Sequence, residues 1–269
     1  MDDRRKSLLD VALFFMLILS GLIIAYYFKP VRNDLLLSIL VYGLPMVVGL
    51  IFIVLSKRDF SSYGLTFRYL DVDLAFVSVW IIPSFLIFIP LKTDSGIYSI
   101  GALTDSLPGL IIEAFMLVVT TILLKRTSKA SGNATRGILA ATLAGAFITL
   151  ITVPALFQAD IHWPLVLLTF ISSFVFISPG EEILFRGFIQ SRLNEAFGRP
   201  YRFLGINWGV GLIITSLIFG LLHIFHGYID VAACVALGFV LGLVREKTGT
   251  IIAPAILHGA MDFGEFIFI

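Results

Sequence analysis

After a short polar start, MDDRRKS, the chain runs LLDVALFFMLILSGLIIAYYF over residues 8–28, with Asp10 as the one charged residue. Apolar runs of this kind recur to the end of the sequence, and they limit the fold more than any other feature. About 20 apolar residues in an α-helix span the roughly 30 Å hydrocarbon core of a bilayer. Helix is required there because lipid offers no partner to an unpaired N–H or C=O group. Further runs lie near 35–55, 73–92, 108–124, 137–157, 164–187, 207–226, 231–245 and 251–268. They predict an all-α, polytopic helical membrane protein with nine spans, or eight if the short 231–245 segment is re-entrant.

Composition agrees. The chain is 58% hydrophobic and 14% charged, whereas soluble domains run near 45–50% apolar and about 25% charged. A net charge of +1 points to no nucleic-acid partner. The single cysteine, Cys234, has no internal disulfide partner. The first run exceeds a signal-peptide h-region and no small-residue cleavage pattern follows, so it is expected to stay as an anchor. With the N-terminus inside, the inner loops hold fifteen lysines and arginines and the outer loops only Lys29, Arg32 and Lys92. The positive-inside bias therefore predicts a cytoplasmic N-terminus.

Ionisable groups placed well inside the runs are few: Glu113, Glu181, Glu182, Arg186, His223, His258, Asp262 and Glu265. A charge at mid-membrane costs about 2.5–3.5 kcal/mol on insertion scales, so such residues face a protein interior or a wet cavity. Most of them crowd between 181 and 262. Glu182 and Arg186 stand i,i+4 on one helix face and are expected to pair, while Glu181 is turned by about 100° and left for other work. His258 and Asp262 repeat the i,i+4 spacing, as do Phe219 and His223. Folding the chain at GRPYR, residues 198–202, sets the acids and His223 at similar heights on antiparallel helices. The sixth helix is expected to reach residue 197, with Arg192, Asn194 and Glu195 protruding on the inner side and Pro179-Gly180 as its kink site.

Such a group of side chains can bind a divalent metal through His and carboxylate ligands, activate a water, or form a proton or ion path. The residue chemistry leaves all three open.

Three motifs narrow the choice. EEILFR (Glu181 to Arg186), FGLLH (Phe219 to His223) and HGAMD (His258 to Asp262) resemble, in order and spacing, the EExxxR, FxxxH and HxxxN/D set of the CPBP family. These are the Abi intramembrane proteases, which include the type II CAAX prenyl endopeptidases. The resemblance divides the chain into N-terminal helices without assigned motif, 1–160, and a CPBP-like catalytic core, 161–269, whose motif helices enclose an intramembrane cavity. It implies that Glu181 is the base activating the hydrolytic water and that His223 helps hold that water. Glu182 and Arg186 would support the site, Phe219 would shape it, and His258 with residue 262 would stabilise the oxyanion. The prenyl endopeptidases carry asparagine where this chain has Asp262. An ionised aspartate cannot donate, which leaves it to orient His258, to act protonated, or to bind metal with His223 and His258.

The expected function is an intramembrane endopeptidase acting near the cytoplasmic face on a peptide or membrane protein, CAAX-type prenylated tails included. No cofactor is expected, with zinc the metal to test for. The competing readings are a non-catalytic scaffold or regulator of the same fold and a small-ion or proton transporter.

Overall fold

A computed structural model of the chain describes residues 3–28, 46–70, 73–74, 77, 90–93, 96–99, 163–203, 205–224 and 227–268, though not the side chains of 3, 18–28, 90–93, 96–99, 163–166 and 263–268. The runs at 108–124 and 137–157, and with them Glu113, lie outside the described residues, as do His162 and His226.

The described chain is mostly helical. Helix α1 is Asp3–Phe28 and α2 is Met46–Leu55. A long rod, α3, follows through Trp163–Ile171, Ser172–Ile177, Ser178–Glu182, Ile183–Ile189 and Gln190–Phe197. Helix α4 is Val210–Leu221, α5 is Tyr228–Thr248 and α6 is Ile252–Phe268. Two antiparallel hairpins interrupt the helices: β1 (Pro90–Thr93) with β2 (Gly96–Ser99), and β3 (Tyr201–Phe203) with β4 (Ile206–Trp208).

Among the described residues two helices, Leu167–Phe197 and Tyr228–Thr248, are long and apolar enough to cross a membrane. The segment expected to be short at 231–245 is thus a 21-residue helix. It gains length at both ends, where Asp230 stands in the first turn and Arg245 and Lys247 in the last, matching the helix dipole. The run expected at 207–226 shrinks to the 12 residues of α4, because β4 occupies its start. The run expected at 73–92 meets strand β1 at Pro90.

Helix α3 is not a uniform α-helix. Ser172–Ile177 and Ile183–Ile189 are π-helical turns flanking the five-residue segment that holds Pro179 and both acids. Proline lacks the N–H that would bond the carbonyl four residues back, and widened turns absorb such a loss without breaking the rod. Ser178–Glu182 keeps αR geometry at both flanking residues, so the Pro-Gly pair is accommodated between two π turns.

Two apolar cores adjoin at Leu237 of α5, which packs against both. The first surrounds Phe188, whose ring lies 5.7 Å from Phe14, 5.2 Å from Phe52 and 6.2 Å from Tyr63. It joins α1, α2 and the Phe60–Tyr63 turn to α3. Gly180 is pressed so close to α2 that a Cβ there would meet Met46 Cβ at 3.0 Å. The second core packs α4, α5 and α6 through Leu212, Leu241, Val244, Ala253 and Leu257. At Gly220 a Cβ would lie 2.7 Å from the Val231 carbonyl, so α4 and α5 touch backbone to backbone.

The C-terminal end of α3 extends beyond its apolar stretch, and protein covers part of it. Arg192 is buried, pairing with Asp10 of α1 and with Glu195 at 2.7 Å; Glu195 also takes Arg58 and the Ser7 hydroxyl. Asn194 is buried too, donating to Glu246 of α5 at 2.7 Å. These side chains form a polar clasp joining α1, the turn after α2, α3 and α5.

Candidate active site

The site is built where α3 crosses α4, α5 and α6. Helix α3 contributes Ser178, Glu181, Glu182 and Arg186, α4 and its terminal turn contribute Phe219 and His223, and α6 contributes His258 and Asp262.

Glu182 and Arg186 pair at 2.7 Å, as their spacing predicts, and each is 0% exposed. A second partner was not legible in the sequence: His258 Nδ1 lies 2.9 Å from the same Glu182 oxygen. Arg186 also donates to the Gly238 carbonyl of α5 at 3.2 Å and lies over the Phe219 ring at 4.6 Å. A buried guanidinium is tolerated only with such compensation, since removing two charges from water costs several kcal/mol per ion.

Glu181 differs from its neighbour in burial and partner. Its side chain is 21% exposed, and Oε2 stands 3.8 Å from His258 Nε2, beyond hydrogen-bond reach. The two acids were expected to face different partners. Instead both face His258, one at each ring nitrogen. Asp262 joins Glu181 at the second nitrogen, with Oδ1 at 3.5 Å from Nε2, and its other oxygen accepts the Ser178 hydroxyl at 2.7 Å.

His223 lies just past the last residue of α4. Its Nδ1 is 3.0 Å from the Phe219 carbonyl. A carbonyl only accepts, so Nδ1 carries the proton of the neutral ring and Nε2 presents a lone pair. Phe219 is the wall between the histidines, its ring 5.2 Å from His223 and 5.6 Å from His258. The residues suggested as metal ligands, His223, His258 and Asp262, are not grouped as a metal centre; among the described residues no three His, Cys, Asp or Glu side chains are.

Ser178 and Gly238 are the members that motif reading missed. Ser178 stands one turn before Glu182, so helical spacing would have found it. Gly238 acts through a backbone carbonyl and leaves no mark in a sequence.

Fold and site together define a mostly helical chain that gathers two glutamates, an aspartate, two histidines and an arginine in its interior. Residues 162–264 match the family model described as Rce1-like, "Type II CAAX prenyl endopeptidase Rce1-like". The matched segment contains all three motifs, and the resemblance drawn from them is borne out. No curated protein and no solved structure gives a significant match to the chain.

Proposed function

We propose that this chain is an intramembrane endopeptidase that hydrolyses a peptide bond near the cytoplasmic membrane face by water activated at Glu181. The unequal treatment of the two acids carries the reading. Glu182 is fully buried and committed to Arg186 and His258, whereas Glu181 is part-exposed and within reach of a water. Glu181 takes a proton from the water as its oxygen bonds to the scissile carbonyl carbon. The tetrahedral intermediate then collapses, the C–N bond breaks, and the proton passes to the departing amine. His223 holds the water through its Nε2 lone pair, and His258, whose Nδ1 is taken by Glu182, stabilises the developing oxyanion through Nε2–H, whose contacts to Asp262 and Glu181 are longer than hydrogen bonds. Glu182 and Arg186 hold His258 in place, and Phe219 excludes solvent between the two rings.

CAAX-type processing of a prenylated protein is the substrate class, supported by the matched family's description. The chain crosses the bilayer several times, with its N-terminus cytoplasmic as the loop charges favour. The test is cleavage of a quenched peptide bearing a farnesylated cysteine, by wild type and by Glu181→Gln in proteoliposomes. Loss of a general base costs about 10²–10⁴-fold in rate. Full activity in Glu181→Gln overturns the mechanism. Transport of protons or ions by the same proteoliposomes, without peptide cleavage, overturns the reading as a protease.

A further inference from the structure

The aspartate that ends the last motif is held by a residue outside every motif. Ser178 is 0% exposed, and its hydroxyl is 2.7 Å from Asp262 Oδ2, across 84 residues of sequence. A serine within a helix usually returns its hydroxyl to the carbonyl three or four residues back. Here the hydroxyl is drawn off to another helix. The two oxygens of Asp262 are thereby divided, Oδ2 to Ser178 and Oδ1 towards His258 Nε2 at 3.5 Å. The imidazole is divided in the same way, Nδ1 to Glu182 and Nε2 between Asp262 and Glu181. A chain of contacts therefore leaves α3 at Ser178, crosses from Asp262 to His258 of α6 by a 3.5 Å charge contact, and returns to α3 by hydrogen bonds at Glu182 and Arg186.

We propose that Ser178 is a positioning residue that turns the Asp262 carboxylate onto His258 Nε2, so that residue 262 acts through the histidine and not by donating to the substrate. Serine can donate to either carboxylate oxygen, but only the one it occupies is withdrawn from His258. The hydroxyl therefore sets which oxygen faces the ring and at what angle. Its effect on rate rests on the protease reading; its effect on the imidazole does not.

The test uses full-length protein labelled with 15N-histidine in detergent micelles. The chain has four histidines, and the His258 signals are assigned by their loss in His258→Gln. Ser178→Ala is expected to shift the Nε2 resonance of His258 and to leave Nδ1, which bonds Glu182, where it was. In an Asp262→Ala background the same serine change is expected to add no further shift. An unmoved Nε2 in Ser178→Ala, or an equal shift without Asp262, overturns the proposal. In the farnesylated-peptide assay, Ser178→Ala is expected to lower kcat about tenfold with KM unchanged. If wild type cleaves nothing while the resonance shift appears, the protease reading fails and the positioning role stands.

Discussion

The clearest separation of the two acids needs no substrate. Glu182→Gln keeps the side-chain volume, so it opens no cavity and removes only the charge. That charge now receives Arg186 Nη1 at 2.7 Å and His258 Nδ1 at 2.9 Å, with no exposed surface on Glu182 or Arg186. Hydrogen bonds to charged groups contribute about 1.5–3 kcal/mol each, and breaking a buried ion pair by removing one partner costs about 3–5 kcal/mol. The Gly238 carbonyl and the Phe219 face already engage Arg186 and cannot take over. The expected loss is about 3–5 kcal/mol. Glu181→Gln is expected to cost less than about 1 kcal/mol, since its contact to His258 is long and its side chain part-exposed. Reversible unfolding of the purified protein by SDS in mixed micelles measures both. Equal losses in the two variants would refute the assignment of Glu182 to structure and Glu181 to chemistry.

Other consequences are as direct. His223→Ala, which removes the ring held by the Phe219 carbonyl, is expected to lower turnover of the farnesylated peptide at least 10²-fold with little change in unfolding midpoint. Gly220→Ala is expected to cost about 1–3 kcal/mol or more, because its Cβ would meet the Val231 carbonyl at 2.7 Å and force α4 from α5; the SDS midpoint reports it. At the C-terminal end of α5, Glu246 accepts from Gln190 at 2.7 Å, Asn194 at 2.7 Å and Arg199 at 2.6 Å while only 4% exposed. Glu246→Gln is therefore expected to destabilise by about 1–3 kcal/mol, less than Glu182→Gln because Arg199 can turn to solvent. Chelator treatment is expected to leave peptide cleavage unchanged, and elemental analysis to find metal well below one equivalent per chain.

What the sequence by itself determined was whatever depends on local spacing and composition. Apolar runs made most of the described residues helical, and i,i+4 spacing paired Glu182 with Arg186 and set Phe219 beside His223, because neighbours on one helix face are fixed by the helical repeat. Three motifs in order marked residues that the fold then brings together, and they lie within the segment, 162–264, that matches the Rce1-like family model. Tertiary structure decided the rest. That His258 stands between Glu182 on one ring nitrogen and Glu181 with Asp262 on the other depends on how α6 packs on α3, and no periodicity encodes a contact across 76 residues. Ser178 was an unremarked small residue until α6 brought Asp262 to it. The Gly238 carbonyl belongs to the backbone, so composition could not disclose it. The polar end of α3, expected to protrude on the inner side, became a clasp once α1, the turn after α2 and α5 were folded over it. A helix determines which of its own side chains share a face; only packing determines what that face meets.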